Sequence, residues 1–507
     1  MKLFLTFLLL SSSLFSFDWT QHYAIEDLEI PANIDPQVGG LDLNSKGQLV
    51  ACFHRGEVLI YDEPSNHWSL FATGLQEPLG LQVAKDDSVI VIQRAELTRL
   101  VDEDGDGRAD LYQTLCDDWG MTGNYHEFTF GLAEDSQGRY YIGLGTASNN
   151  GGARPEMRGD WNETGGLTHD RFKVVRGDST PWKERKKGTP RMYARVPYRG
   201  CILRITPGNR KAELYATGFR TPNGLFVDAQ DQLWVADNQG DWLGSSKLHR
   251  VQQNQFHGHP ASLLWDKNPP QTIPANLPPS ELDARRIKSA AFLPQGDCSN
   301  SPTEMRAIPA NGTFAPVALD TQLLIGEMNH AKLIRYLPDH VNSQHQGTAV
   351  HFLNTEQLGI GNNRMAFSAD KKTLYLGKTK LSWAGFRGIK KITYQDKPFL
   401  TASQVKLTPN GFQFTFSSPP EPLPKDEPLF IESYHLAYNA KYGSPKHDLT
   451  VQPVKSASLT GNTLTITLEN PPLADRVYDI RLPQLTSSQL GPLDSTRYFY
   501  TAHQVHE

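Results

Sequence analysis

The sharpest chemical signal in the chain is Asp102-Glu103-Asp104-Gly105-Asp106-Gly107-Arg108-Ala109-Asp110. Carboxylates at the first, third, fifth and ninth places of such a loop converge on one point, because the glycine at the sixth place permits a sharp turn. Hard oxygen ligation of this kind suits Ca²⁺, and Asp102, Asp104, Asp106 and Asp110 are the expected ligands. The twelfth place holds Gln113 where a bidentate Glu is usual. An acidic, glycine-rich surface turn is the alternative. Either way the loop is expected to be structural, pinning a hairpin between the second and third repeats described below.

A second signal is His126, in Gly123-Asn124-Tyr125-His126-Glu127-Phe128. An imidazole titrates near neutrality and can serve as a general base, although a lone histidine is as often structural. Cations and planar side chains stand at comparable places further on. They are Arg220, then Asn363 and Arg364, then Lys378 and Trp383 in Gly377-Lys378-Thr379-Lys380-Leu381-Ser382-Trp383. Gly240 and Asp241 belong to Asp237-Asn238-Gln239-Gly240-Asp241-Trp242. Together these predict a pocket for a flat, polyanionic ligand, since guanidinium and ammonium groups pair with anions and lie well beside aromatic faces. Each one taken singly also reads as a satisfied residue at a loop end.

What must position these residues is a repeat. Ala72-Thr73-Gly74-Leu75-Gln76-Glu77-Pro78-Leu79-Gly80-Leu81 is echoed by Ala216-Thr217-Gly218-Phe219-Arg220-Thr221-Pro222-Asn223-Gly224-Leu225. Each copy runs into a short strand, a polar turn and a second apolar strand. Weaker copies begin near Gly40, Phe128, Gly312 and Arg364. Short strands recurring at about 40 to 50 residues describe propeller blades. An all-β chain is therefore expected, with a six-bladed β-propeller over residues 24–396. Its inner-strand entrances ring a central channel, and His126 and Arg220 lie at two of them. Long insertions are expected at about 148–198 and 252–310. From 397 to 507 the pattern becomes one of alternating strands suited to an immunoglobulin-like β-sandwich.

The 507 residues are 38% apolar and 21% charged, an ordinary soluble mixture with ample core material. A formal net charge of -5 offers no field for phosphate backbones and argues against nucleic acid as a partner. Lys2, the apolar run Leu3 to Leu10 and the serines to Ser16 read as a signal peptide over 1–16, which implies export to the periplasm or the exterior. That run is too short for a membrane span. Cys52, Cys116, Cys201 and Cys298 are too widely spaced for a disulfide scaffold or a Cys-x-x-Cys zinc knuckle. No Cys-x-x-Cys-His is present for covalent haem. One or two disulfides and plain buried thiols both remain open.

At Glu77-Pro78-Leu79-Gly80-Leu81, the Asp-Gly-Asp-Gly loop, Gly123 to Phe128, Gly218 to Gly224 and Asp237 to Trp242, the chain resembles membrane-bound-dehydrogenase-type propellers of planctomycetes. Those are similar to soluble quinoprotein glucose and sorbosone dehydrogenases. The resemblance covers most of residues 30–396, without the fused cytochrome c of many relatives. It implies pyrroloquinoline quinone (PQQ) bound with Ca²⁺, and a histidine, matched by His126, that removes a sugar hydroxyl proton while hydride passes to the quinone. It implies Arg220 as the electrostatic stabiliser of the quinone. Arg364, Lys378, Asp241, Gly240 and Trp383 are the expected cofactor contacts. The family asparagine after the arginine is replaced by Thr221, and the aspartate that orients the histidine is absent near Leu144. The implied activity is oxidation of a sugar or alcohol, with electrons leaving to a separate carrier such as a cytochrome c. The competing functions are a non-catalytic carbohydrate- or protein-binding propeller and a glycan-active lyase or hydrolase.

Overall fold

The computed structural model describes residues 17–148, 158–167, 192–380, 385–424 and 426–506. The expected signal peptide and much of the first insertion lie outside them. The chain is all-β, with one short α-helix at Pro279–Arg285 among the described residues. Six sheets, built on antiparallel pairs, succeed one another along the chain, and each opens with a strand that faces a common axis. These opening strands are β1 (Val38–Leu43), β2 (Leu81–Val83), β3 (Thr129–Glu134), β4 (Pro222–Val227), β5 (Pro302–Ala307) and β6 (Asn362–Phe367). They pack in a cycle, each against the next and β6 back against β1. The last sheet takes its outer strand from the start of the chain: Tyr23–Leu28 pairs with Gly388–Tyr394.

The repeated glycine before each opening leucine has a steric cause. A Cβ on Gly40 would stand 2.5 Å from the main-chain N of Leu81, and one on Gly224 would stand 2.0 Å from the Thr303 carbonyl oxygen. Neighbouring opening strands therefore approach closer than any side chain allows. On the axis lies Arg364, fully buried. It donates to the carbonyls of Gly39 (2.9 Å), Leu79 (2.7 Å) and Asn363 (3.0 Å) and to Oδ1 of Asn223 (3.0 Å). One guanidinium thus ties four of the six opening regions together.

The C-terminal strands are joined to this body by hydrogen bonds. Gln344–Phe352, the outer strand of the fifth sheet, pairs with Arg497–Ala502, so one eight-stranded sheet runs on through Arg476–Arg481 and Phe430–His435 to His447–Val451. A four-stranded sheet built on Ala402–Thr408 and Gly411–Phe416 covers it. Phe412, Phe414, Tyr478, Tyr498 and Tyr500 fill the space between. All four cysteines are buried free thiols. No helix among the described residues is long and apolar enough to cross a membrane.

Candidate functional site

His126 lies in the turn that enters β3, and Asn124 builds that turn. Its Oδ1 accepts from the main-chain N–H of His126 (3.0 Å) and of Ser148 (3.1 Å), and its Nδ2 donates to the Ser148 carbonyl (2.9 Å). His126 Nδ1 stands 2.9 Å from the Thr146 carbonyl oxygen. A carbonyl only accepts, so Nδ1 carries the proton and Nε2 keeps its lone pair. The carbonyl takes over the orienting task for which the sequence lacks an aspartate. Burial, then the neighbouring Arg220 guanidinium, push the pKa of His126 down to about 3. The ring is therefore neutral at physiological pH.

Arg220 precedes β4. Its main-chain N–H and that of Thr221 both donate to the buried carboxylate of Asp237, at 2.9 and 2.6 Å. That carboxylate fixes the backbone from which the side chain leaves. Nη1 donates to Thr221 Oγ1 at 3.2 Å, and the ring of Tyr442 lies 5.5 Å from Cζ. Gly240 makes room for the guanidinium: a Cβ there would stand 2.0 Å from Nε. Nε itself is buried and has no hydrogen-bond partner among the described residues. An unpaired donor on a buried cation costs free energy that an anionic or polar ligand recovers.

His126 and Arg220 share the wall of a cavity of about 290 Å³. Side-chain amides of Asn238, Gln239, Asn300 and Asn329 line it with them, and Tyr125 and Tyr442 stand at 40% and 44% exposure. No carboxylic acid lines it among the described residues. Sequence reasoning missed these amides and tyrosines. Asn238 and Gln239 were visible beside Gly240, whereas Asn300 and Asn329 come from the insertion and the weakest repeat, where nothing marks them.

Of the other expected contacts, Arg364, Lys378 and Asp241 do not line this cavity. Arg364 is spent on the axis, as described. Lys378 is buried and donates to the Ile360 carbonyl (3.0 Å) and to Asn362 Oδ1 (2.8 Å); burial lowers its pKa to about 7. Asp241 is buried behind Gly240, where it accepts from the Met192 main chain (3.1 Å) and faces His259 Nε2 at 3.6 Å. Burial works to raise its pKa, but His259 and Arg220 lower it on balance. Trp383 lies outside the described residues.

The acidic loop joins Leu97–Val101 to Leu111–Cys116, two strands of the second sheet, so it closes a hairpin within that sheet rather than between repeats. Carboxylate oxygens of Asp102, Asp104 and Asp106 lie within 4.8 Å of one another. Asp110 plays another part: its Oδ2 accepts from the main-chain N–H of Glu103 at 2.8 Å. Asp102 likewise accepts from Gly105 (2.8 Å) and Gly107 (2.9 Å), both of which have positive φ.

The family described as a domain of unknown function (DUF7133) matches residues 61–189. No curated protein matches the chain. Among solved structures, the holo form of the pyranose dehydrogenase PQQ domain from Coprinopsis cinerea is 13% identical, with a TM-score of 0.48 over 73% of this chain and 95% of that one. A putative oxidoreductase (glucose dehydrogenase) from Thermus thermophilus is 14% identical, with a TM-score of 0.47 over 73% and 99%. The PQQ-bound aldose sugar dehydrogenase from Streptomyces coelicolor is 14% identical, with a TM-score of 0.44 over 74% and 98%.

Proposed function

We propose that the chain is an exported six-bladed propeller whose cavity oxidises a sugar or alcohol hydroxyl, with PQQ as the hydride acceptor. The observation that carries this reading is His126 held with Nε2 bare, beside Arg220, in a polar cavity that no acid lines among the described residues. The blade count is supported by the cycle of six opening strands, and a C-terminal β-sandwich by the two facing sheets around Phe412 and Tyr498.

The donor set fits the cofactor. PQQ is a planar polycarboxylate. The cavity offers it the Arg220 guanidinium, whose Nε has no partner among the described residues, backed by neutral side-chain amides and, among the described residues, with no lining carboxylate to repel it. Arg220 and Gln239 would hold it, with Tyr442 at the edge. When bound, the quinone supplies a two-electron acceptor for hydride.

The protein's own groups do the rest. His126 Nε2 takes the hydroxyl proton, and the Thr146 carbonyl on Nδ1–H steadies the imidazolium that forms. In the empty cavity burial holds the basicity of His126 down, and Arg220 lowers it further. An anionic ligand against the guanidinium offsets that effect, so the base strengthens when the ligand is seated. The amides orient the hydroxyls of a polyol. Ca²⁺ is proposed at Asp102, Asp104 and Asp106 as a structural ion. Electrons would then pass to a separate carrier such as a cytochrome c.

The test is turnover in protein reconstituted with PQQ and Ca²⁺, followed by dye reduction over a panel of sugars and alcohols. His126→Ala should keep the cofactor and lose turnover by ~10²- to 10⁴-fold. A variant that binds PQQ and turns over like the wild type removes His126 from the base role. Sugar binding that needs no PQQ, with no dye reduction, would point instead to a carbohydrate-binding propeller, which the amide-rich lining also suits.

A further inference from the structure

The C-terminal sheets look remote from the cavity, yet one of their loops reaches it. Between strands Phe430–His435 and His447–Val451, residues 436–446 leave the module and lie along residues 240–244, in the connection between Leu233–Asp237 and Ser246–Val251 of the fourth sheet. The seam is built from main-chain hydrogen bonds: Trp242 N–H to the Asn439 carbonyl (3.0 Å), Gly443 N–H to the Gly240 carbonyl (2.9 Å) and Ser444 N–H to the Gly244 carbonyl (3.0 Å). Asp241 and Tyr442 form an antiparallel bridge between the two segments. Tyr438 anchors the loop, donating from its hydroxyl to the Gly258 carbonyl at 2.5 Å, with the Arg286 guanidinium 4.8 Å over its ring. At Gly443 φ is +71°, and a Cβ there would stand 3.1 Å from Nε2 of Gln239, a cavity-lining amide. The loop is thus seated on Gly240 and beside Gln239, which lines the cavity.

This seat delivers Tyr442. Its ring lies over Arg220 and it lines the cavity. Gly240 lets the guanidinium come close to the backbone, and Tyr442 covers it from the other module. A cation stacked on an aromatic ring and partly removed from water has few alternative rotamers to occupy.

We propose that Tyr442 is the positioning residue for Arg220, so that the C-terminal module completes the cavity and sets its affinity for an anionic ligand. The placement of Arg220 stands independently of what the cavity binds, whereas the affinity clause rests on the quinone reading above.

Two arms separate these. The first uses the ligand-free full-length chain: phenylglyoxal modification of Arg220, timed by peptide mass spectrometry, with the exposed Arg55 as internal reference. Tyr442→Ala should speed modification of Arg220 several-fold, while Tyr442→Phe, which keeps the ring, should match the wild type. Equal rates in wild type and Tyr442→Ala would overturn the proposal. The second arm titrates PQQ in the presence of Ca²⁺ and reads its absorbance. Tyr442→Ala should raise Kd by roughly fivefold, the order expected for loss of a partly desolvated cation–π contact, and Tyr442→Phe should restore it. If Kd rises equally in Tyr442→Phe and Tyr442→Ala, the ring face is not what positions Arg220, and the affinity clause falls. If the wild type binds no PQQ, the quinone reading and the affinity clause fall together, and the first arm still decides the role of Tyr442.

Discussion

Thr146 presents a carbonyl to Nδ1 of His126, and that single contact sets the tautomer of the ring. A carboxylate there would raise the basicity of the imidazole; a carbonyl orients it without adding charge. Burial, and after it the Arg220 guanidinium, hold the ring near 3 against the upward pull of that carbonyl, so the base is deprotonated in the free protein at physiological pH. Its availability should therefore not decline as pH falls from neutrality toward 5. An NMR titration profile of the His126 ring in the ligand-free chain with a midpoint near the ordinary histidine pKa would contradict this, provided the fold is intact by circular dichroism. Thr146 acts through its main chain, so Thr146→Ala should leave that profile in place. Of the residues with chemical promise, His126 and Arg220 were legible because their places in two repeats put both at strand entrances. Arg364 and Lys378 occupy similar places but point at backbone carbonyls. Repeat position alone cannot tell a cation at the cavity from one a few residues away that holds the ring together.

Gly240 and the acidic loop carry the predictions at the scale of elements. Gly240→Ala places a methyl group 2.0 Å from Arg220 Nε, and the guanidinium must leave its seat. Ligand binding should fall as far as it does in Arg220→Ala, while the far-ultraviolet spectrum and melting temperature stay near the wild type. A melting temperature that collapses would show that the segment serves the fold rather than the site. For the loop, Ca²⁺ should raise the melting temperature and a chelator should reverse it. Asp104→Asn should weaken the response, since three carboxylates converge there. The convergence of Asp102, Asp104 and Asp106 was readable from the glycine and aspartate spacing. The part played by Asp110 was not, because a carboxylate at the ninth place can close the turn on a backbone N–H as readily as it can face an ion. Tyr442 left no trace in the sequence: it belongs to a different module, and only the docking of residues 436–446 brings it to Arg220.

At the scale of the whole molecule, the repeat foretold an all-β body because its glycines and alternating apolar residues answer directly to strand packing. It could not foretell that the C-terminal strands extend the fifth sheet, since edge pairing between distant segments leaves no local pattern. Arg364 is the chief tie of the axis. Arg364→Met leaves several buried carbonyls without donors and should cost about 3–5 kcal/mol, read as a lowered urea midpoint. Buried histidines set the response of the fold to acid. His54 is held near 4, and His257 and His351 near 3, chiefly by burial, against an ordinary value of 6.5. Above 6.5 they are neutral whether folded or not. Below it the unfolded chain binds protons that the folded chain refuses, so stability should fall as pH drops from 6.5 toward 4. Melting temperatures across that range check the sign. The central claim is tested most directly by titrating PQQ with Ca²⁺ into the purified chain and following the bound-quinone absorbance in wild type and Arg220→Ala. Saturable micromolar binding in the wild type that weakens at least tenfold in the variant is the predicted result. No binding in the wild type, or equal binding in both, would contradict it.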